Sequence, residues 1–281
     1  MPLHLTSINR YPVKSCRGEA VTSADVEPWG LAGDRRWMLV DDEGVLITAR
    51  EHPRLLLVTP RITEGGLAFT SPDADDLQVT VPTSTPEPVR VHRSTVSASV
   101  AAADANAWFS AIIGTPARLV HLGDPTQRAL NPRFAQPTDR VSLADGYPLM
   151  ATSSASLDAL NDLIAEGPRA DEGPVPMMRF RPSLVVDGAT AWAEDGWRRL
   201  RIGAAEFRVV KGCDRCVMTT IDPDTAAKGK EPVATLARHR RFDGATWFGM
   251  QLIPDTPGAT IRVGDDVEVV ESVPAPDGPP R

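Results

Sequence analysis

The sequence has few cysteines and no long hydrophobic run. Three cysteines in 281 residues cannot form a disulfide framework, so we expect all three to be thiols. No run of about 18 apolar residues occurs, and the sequence therefore predicts no transmembrane helix. The N-terminal stretch MPLHLTSINRYPVKSC lacks the apolar block of a secretory signal. These absences together predict a soluble cytoplasmic protein.

Positive charge is also in short supply. The chain has 30 Lys and Arg against 37 Asp and Glu, a net charge of -7 at pH 7. Nucleic-acid binding needs a basic face, and a polybasic membrane anchor needs a cluster of cations, so neither is expected. The sequence has no GxGxxG after a strand, no GxxxxGK[ST] and no HExxH. Dinucleotide, P-loop and zincin functions therefore lack support. No GxSxG nucleophile elbow occurs, although a Ser/His/Asp triad stays open.

Proline is abundant, with 26 residues, and the apolar runs are short, which predicts many strands joined by turns. A hairpin is expected at 37–48, further strands include 55–59 and 217–221, and 260–270 is expected to form another hairpin. Helical periodicity is limited to 104–113, 154–165 and a short segment after Pro232. The predicted fold class is mainly β with a few helices (α+β). We expect a first unit at 1–140, a second at 141–273 and a disordered tail at 274–281.

The stretch KGCDRCVMTTIDPDT holds two of the three cysteines, Cys213 and Cys216. A zinc site needs a second pair of ligands, and the remaining Cys16 and five scattered histidines do not supply one. A thioredoxin-type motif begins a helix, whereas VMTTI is β-branched and indicates a strand. A special thiolate, favoured by the neighbouring Arg215, and plain packing both remain open on the residues alone.

Three other short motifs carry cations. Lys14 and Ser15 in YPVKSCRG pair an ammonium with a hydroxyl, which suits a phosphate. Arg35 or Arg36 in GDRRW can bind an anion, and Arg181 in RFRPS can hold a flat polar ligand. For each of them an ordinary solvated or salt-bridged surface cation is the commoner alternative.

Taken in order, these motifs resemble a known family. YPVKSCRG and GLAGDRRWMLVDDEGVLITARE resemble the N-terminal β-barrel region that precedes a MOSC domain. FRPSLVVDG, GWRRLRIG, CDRCVMTTIDPDT, EPVATL, FGMQLIP and IRVGDDVEVV resemble the MOSC domain itself. The resemblance spans nearly the whole chain and extends to the amidoxime-reducing component and to bacterial reductases of N-hydroxylated bases. It implies an N-terminal β-barrel-like domain followed by a MOSC β-barrel domain.

The resemblance also implies a molybdenum–molybdopterin cofactor with Cys216, not Cys213, as the metal ligand. A soft thiolate suits such a metal. In the family, residues that match Lys14, Ser15 and Arg35 hold the cofactor phosphate, and Arg181, followed by Ser183 in the same motif, contacts the pterin. The remaining cofactor-binding residues implied are Asp145, Gly146, Tyr147, Asp214 and Arg215.

The implied activity is that of a molybdenum-dependent oxidoreductase that reduces N-hydroxylated small molecules by oxygen-atom transfer. Asp214 is a candidate proton donor. An external ferredoxin-, flavoprotein- or cytochrome-type donor is expected, because the sequence holds no four-cysteine ferredoxin segment. Met250 and Gln251 depart from the polar residues that relatives often carry after FG. The alternatives are a sulfur carrier with a persulfide on Cys216 and a thiol–disulfide protein that uses Cys213 and Cys216 equally.

Overall fold

A computed structural model of the chain describes residues 2–275 and 278–281. The first half contains eleven strands and then one helix. They are β1 (Leu3–Arg10), β2 (Glu19–Val21), β3 (Ser23–Glu27), β4 (Gly30–Leu31), β5 (Trp37–Val40), β6 (Leu46–Ile47), β7 (Thr59–Thr63), β8 (Gly66–Ser71), β9 (Ala74–Thr80), β10 (Glu87–Val91), β11 (Ser94–Val100) and α1 (Ala103–Ile113).

The rest of the described chain contains nine strands and two helices. They are β12 (Arg118–His121), β13 (Leu149–Ser153), α2 (Ser154–Ala165), β14 (Leu184–Asp187), β15 (Trp197–Ile202), β16 (Ala205–Asp214), α3 (Val233–His239), β17 (Arg241–Phe242), β18 (Ala245–Pro254), β19 (Thr260–Arg262) and β20 (Asp266–Ser272). The mainly β class with a few helices is confirmed. No helix of the described residues is long and apolar enough to cross a membrane.

A closed seven-stranded barrel is the larger unit. Its strands follow the order β13, β14, β1, β20, β15, β16 and β18, and β18 pairs back onto β13. Only the β13–β14 pair is parallel. Fully buried side chains such as Leu5, Leu200, Phe207 and Leu252 fill the interior. Strand β1, from the start of the chain, thus completes a barrel whose other strands come from the second half. The domain boundary predicted near residue 140 stays a prediction.

The N-terminal half forms a partly open barrel around a separate core. One sheet has the order β10, β11, β12, β5 and β6, and a smaller one has β7, β8 and β9. Helix α1 packs its buried Phe109 edge-on against Phe69, with ring centroids 5.2 Å apart. The hairpin predicted at 37–48 is confirmed, since β5 and β6 pair antiparallel through Leu39 and Ile47.

Two predicted strands are 3₁₀-helices. Residues 55–59 were expected to be extended, but Pro53–Leu57 is a 3₁₀-helix with proline in its first turn, where the fixed φ of proline suits a helix start. The strand predicted at 217–221 is also wrong, because Val217–Thr220 is a 3₁₀-helix. The hydroxyls of Thr219 and Thr220 donate to carbonyls three residues earlier, at 3.0 and 2.8 Å. These local bonds outweigh the β propensity of threonine.

The hairpin predicted at 260–270 is also wrong, although both strands exist. β19 pairs with β3, whereas β20 pairs with β1 and β15. The intervening turn binds the first strand: the Gly264 amide donates to the Leu5 carbonyl at 2.7 Å, and the Leu5 amide donates to the Asp265 carbonyl at 2.9 Å. Each strand therefore meets a distant partner, which alternation alone does not reveal.

The end of the chain, predicted to be disordered from 274 to 281, packs in part against the barrel. Pro276 and Asp277 lie outside the described residues. The Pro280 carbonyl accepts a hydrogen bond of 2.7 Å from the Gly212 amide, and Pro279 is buried. Gly212 makes this possible, because a Cβ there would lie 2.6 Å from Pro279 Cγ and 2.8 Å from the Trp247 ring.

Candidate functional site

One cavity, of about 630 Å³, lies where the N-terminal unit meets the closed barrel. Every residue that the sequence singled out for a cofactor lines it, although they come from separate parts of the chain. They are Lys14, Ser15, Arg35, Asp145, Gly146, Tyr147, Arg181, Ser183, Asp214, Arg215 and Cys216. The structure therefore brings the candidate residues together, and their roles remain proposals.

Three of these residues have left-handed backbone conformations. Ser15 has φ 70°, Arg35 has φ 45° and Arg181 has φ 54°. Such values are uncommon for residues with a Cβ and concentrate at functional sites. Neighbouring bonds hold them in place: the Lys14 amide donates to the Trp37 carbonyl at 2.8 Å, and the Arg35 amide donates to the Tyr11 carbonyl at 2.8 Å. The strained turns point to a fixed binding surface.

Tyr11 is a buried platform for two cations of the cavity. The guanidinium carbons of Arg35 and Arg181 lie 4.2 and 4.3 Å from its ring centroid. Burial raises the pKa of Tyr11 to about 12, even though both arginines oppose the shift. The hydroxyl donates to the Pro182 carbonyl at 3.1 Å. Because a guanidinium over an aromatic face is attracted to it, Tyr11 fixes both cations at the cavity wall.

Asp145 is the point on which a lysine, an arginine and a histidine converge. The Lys14 ammonium contacts one carboxylate oxygen, and His92 Nε2 lies 3.0 Å from the same atom. Arg50 Nη2 donates to the other oxygen at 3.1 Å. Lys14 in particular holds the pKa of Asp145 well below its usual range, whereas burial lowers the pKa of Lys14 despite that carboxylate. The arrangement can bind an anion.

Cys213 is a buried thiol with two donors. Arg215 Nη1 lies 2.7 Å from its Sγ, and Gln251 Nε2 lies 3.0 Å from it. Burial raises the pKa of Cys213, against the opposing effect of Arg215. Arg215 also donates to the Phe180 carbonyl at 2.7 Å through Nη2. This arginine, predicted to flank the metal, thus also ties the cysteine loop to the barrel.

Cys216 has a different setting. Among the residues that the structure describes, it is the one exposed cysteine, since Cys16 and Cys213 are buried. Cys216 directly precedes the 3₁₀-helix Val217–Thr220. The sequence argument against a thioredoxin-type motif assumed a strand at this place, and that assumption is wrong. Burial lowers the pKa of Arg50, but Asp145 and a hydrogen-bonded Cys216 together raise it. Cys216 therefore lies beside the cations that converge on Asp145.

The other predicted residues occupy the cavity wall in different ways. Asp214 is exposed, and its carboxylate lies 3.9 Å from Lys211 Nζ. Burial raises the pKa of Tyr147 to about 12, with Asp214 adding to the shift. Gly146 is in open space, because a Cβ there would meet nothing within 4 Å. Ser183 is buried and accepts a 3.3 Å hydrogen bond from the Met150 amide.

Sequence reasoning missed several residues of the cavity. Met250 is buried in the barrel core, whereas Gln251 lines the cavity and places its amide 3.0 Å from Cys213 Sγ. Further basic residues line the wall, and the sequence analysis gave none of them a role, although Arg50 and Lys211 lie in stretches quoted there. The cavity residues that were not predicted include Arg50, His92, Arg93, Arg128 and Lys211.

Two known domain families match the chain. Residues 3–116 match the MOSC N-terminal beta barrel domain, and residues 138–268 match the MOSC domain. Human mitochondrial amidoxime-reducing component 1 is 34% identical over 278 residues, with 92% of this chain and 80% of the relative covered. This chain belongs to the MOSC-domain family. Human mitochondrial amidoxime reducing component 2 is 33% identical over 280 residues, with the same shares covered.

A molybdenum cofactor sulfurase from Oryza sativa subsp. japonica is also similar to this MOSC protein. It is 35% identical over 266 residues, which are 89% of this chain but 32% of the sulfurase. The present chain thus spans about a third of that relative. Both kinds of relative have names that concern amidoxime reduction or the molybdenum cofactor, and they link this MOSC protein to that cofactor.

The cavity of this MOSC protein fits a molybdenum–molybdopterin group by its donor set. Lys14, Arg35 and Arg181 offer cations for a phosphate and a polar ring, and Cys216 offers an exposed soft ligand. No cluster of three or more His, Cys, Asp or Glu side chains suited to a metal occurs in residues 2–275 and 278–281.

Proposed function

We propose that this protein is a molybdenum-cofactor-dependent oxidoreductase that reduces N-hydroxylated small molecules. One observation carries the proposal: the exposed thiol of Cys216 shares a cavity with the cations around Lys14 and Tyr11. A phosphate-bearing cofactor with a thiolate-bound metal needs both of these features at once. When bound, the molybdenum centre supplies two-electron removal of oxygen from an N–O bond.

The residues of the chain would divide this work by position. Lys14, Ser15 and Arg35 would bind the phosphate, and Arg181 would lie along the pterin. Arg215 would hold the loop that carries Cys216, because its guanidinium bonds Cys213 and Phe180. The metal ligand would thus be presented by a loop tied to the barrel wall.

Asp214 has the exposure that a proton donor needs, and Lys211 Nζ lies 3.9 Å from its carboxylate. Asp145, Gly146, Tyr147 and Ser183 would complete the cofactor wall.

An external ferredoxin, flavoprotein or cytochrome would supply electrons, and we propose a cytoplasmic location for the protein.

Metal and pterin content test the cofactor assignment. The protein is purified from a host that makes molybdopterin, together with the Cys216→Ala and Cys213→Ala variants. We expect near-stoichiometric molybdenum and pterin fluorescence in the wild type and in Cys213→Ala, and no molybdenum in Cys216→Ala. Wild-type protein without metal and pterin would overturn the assignment.

Turnover tests the reaction separately. Molybdenum-loaded protein with a chemical electron donor should reduce a model amidoxime, and the Cys216→Ala variant should not. Loaded protein that shows no turnover would leave the cofactor assignment standing and show that the proposed reaction is wrong.

A sulfur-carrier function is the second candidate, favoured by the match to the sulfurase and by the exposed Cys216. It predicts a persulfide on Cys216, seen in the intact mass as one added sulfur atom that a reductant removes. Metal-free protein with this adduct would support the sulfur carrier over the oxidoreductase.

A further inference from the structure

The cavity wall is strongly unbalanced in charge. Its basic side chains come from both halves of the chain, and its carboxylates are Asp145 and Asp214. The lysines and arginines that line it are Lys14, Arg35, Arg50, Arg93, Arg128, Arg181, Lys211 and Arg215. An anion that enters this cavity therefore meets an excess of positive charge.

Most of these cations already have internal partners. Arg35 pairs with the buried Asp34, and Arg181 donates to the Cys16 carbonyl at 2.7 Å. Arg128 donates to the Ala144 carbonyl at 2.8 Å. Lys14 and Arg50, here called the cation cluster, instead share one carboxylate, that of Asp145, and His92 Nε2 lies 3.0 Å from the same group.

Asp145 differs from its partners in exposure. Its side chain is 59% exposed, whereas that of Lys14 is 7% exposed. The lysine is fixed in the wall, and the carboxylate reaches it from the open side of the cavity. An anion from solvent can therefore compete for the cation cluster at the place that Asp145 occupies.

The segment that carries Asp145 is anchored behind the carboxylate and open ahead of it. The Leu143 amide donates to the Arg35 carbonyl at 3.0 Å, which holds the segment to the wall. Gly146 follows directly in open space, where even a Cβ would touch nothing within 4 Å. A turn of the Asp145 side chain alone would take the carboxylate out of the cluster, because the anchoring bond is made by the backbone of Leu143.

We propose that Asp145 is a resident carboxylate of the cation cluster, which an incoming phosphate dianion displaces and a monoanion does not. A monoanion that displaces Asp145 exchanges one negative charge for another and gains little. A phosphate dianion brings an additional charge and more acceptor oxygens to the same cations. The selection deepens the proposed function, since it rests on the phosphate of the cofactor as the natural occupant.

Anion binding to cofactor-free protein tests this selection. Protein from a host without molybdopterin synthesis is titrated calorimetrically at about pH 8, where a phosphate group is dianionic. Inorganic phosphate and acetate are the probes. The variants are Asp145→Asn and, as the matched control, Asp158→Asn, which removes one negative charge from an exposed position of α2 outside the cavity lining. Thermal unfolding of each variant confirms that it is folded.

We expect wild-type protein to bind phosphate at least about tenfold more tightly than acetate, a difference of about 1.4 kcal/mol. In Asp145→Asn the affinity for acetate should rise by about tenfold or more, because no carboxylate then competes for the cations. Asp158→Asn should change either affinity by less than about twofold, because Asp158 does not line the cavity.

A crystal structure of cofactor-free protein with phosphate gives a second measurement. In the wild type, phosphate should lie beside Lys14 Nζ and Arg50 Nη2 in place of the Asp145 carboxylate. Unchanged or weaker acetate binding in folded Asp145→Asn would overturn the proposal, as would wild-type protein that binds neither anion. The molybdenum content of protein from a competent host is measured independently, so failure of the proposed function remains distinguishable.

Discussion

Arg215 Nη1 donates a hydrogen bond of 2.7 Å to Cys213 Sγ. The two cysteines of the CDRC segment therefore have different surroundings. Cys213 belongs to a buried hydrogen-bond network, and Cys216 is exposed in the cavity. It also shows why a spacing of three residues does not make an equivalent pair. The consequences of this asymmetry can be measured without any cofactor.

The asymmetry predicts different thiol reactivities. In cofactor-free native protein, Cys216 should react quickly with a bulky aromatic disulfide reagent, whereas Cys16 and Cys213 are buried and should react only on unfolding. Burial also raises the pKa of Cys16 to about 12. Spectrophotometric titration should therefore count one fast thiol in the wild type and none in Cys216→Ala. A fast thiol that persists in Cys216→Ala would contradict the assignment.

Loss of the Arg215 side chain should destabilise the barrel. Arg215→Ala removes donors to Cys213 and Phe180 and should lower the free energy of unfolding by about 2 kcal/mol or more. Urea unfolding measures the change. Arg93→Ala also removes a cation of the cavity, but Arg93 is exposed, so its cost should stay within about 0.5 kcal/mol. Equal effects would mean that Arg215 acts only through its charge.

A buried carboxyl away from the cavity should control the pH dependence of stability. Burial raises the pKa of Glu194 from 4.5 to about 7, and Ser156 Oγ donates to it at 2.8 Å. A raised pKa in the folded state favours the protonated form. The free energy of unfolding should therefore fall, by about 3 kcal/mol, as pH rises from about 4.5 to 7.

Glu194→Gln should remove this loss, since the amide cannot ionise and still accepts from Ser156. Urea unfolding from pH 5 to 8 should show the variant becoming the more stable protein as pH rises. Glu166→Gln, at an exposed helix end, is the control and should follow the wild type. Parallel profiles for wild type and Glu194→Gln would show that the carboxyl does not ionise differently on folding.

The fold class could be predicted from the sequence because most strands are encoded locally. The 37–48 hairpin has a turn at its centre and β-rich residues on both sides, and β5 and β6 pair as expected. The segment 217–220 defeats the same reasoning, because threonine hydroxyls satisfy nearby carbonyls and stabilise a 3₁₀-helix. The β propensity of threonine is a property of the residue type, whereas these hydroxyl bonds form only once the backbone has entered a helical turn.

The candidate site was predicted by family motifs more than by local chemistry. The motifs pointed to Lys14 and Asp145, but nothing in the sequence shows that they touch, since they are 131 residues apart. The same applies to Tyr11, which lies three residues before Lys14 and supports Arg35 and Arg181. A contact between distant segments follows from barrel closure, which one sequence does not reveal.

The packing of the chain end depends on a missing side chain. Gly212→Ala would place a Cβ 2.6 Å from Pro279 and 2.8 Å from Trp247, so one of them must move. We expect a loss of about 1–3 kcal/mol in the free energy of unfolding. Gly123→Ala, whose Cβ would meet nothing within 4 Å, should change it little. Equal stability of the two variants would show that the contact with Pro279 does not persist in solution.

The aromatic platform gives a prediction that separates packing from cation support. Tyr11→Phe removes only the hydroxyl that donates to Pro182 and should cost about 1 kcal/mol of stability. Its ring faces remain under Arg35 and Arg181, so the affinity of cofactor-free protein for inorganic phosphate should be unchanged. Calorimetric titration at one fixed salt concentration measures that affinity.

Tyr11→Leu removes the ring as well as the hydroxyl. Each cation–π contact contributes about 0.5–2 kcal/mol, so two loosened guanidinium groups should weaken phosphate binding by about tenfold. If Tyr11→Phe and Tyr11→Leu bound phosphate equally well, the ring would serve only to fill space. If Tyr11→Phe alone abolished binding, the hydroxyl and its bond to Pro182 would matter more than the ring. A loss confined to Tyr11→Leu would show that the buried ring keeps both cations directed into the cavity.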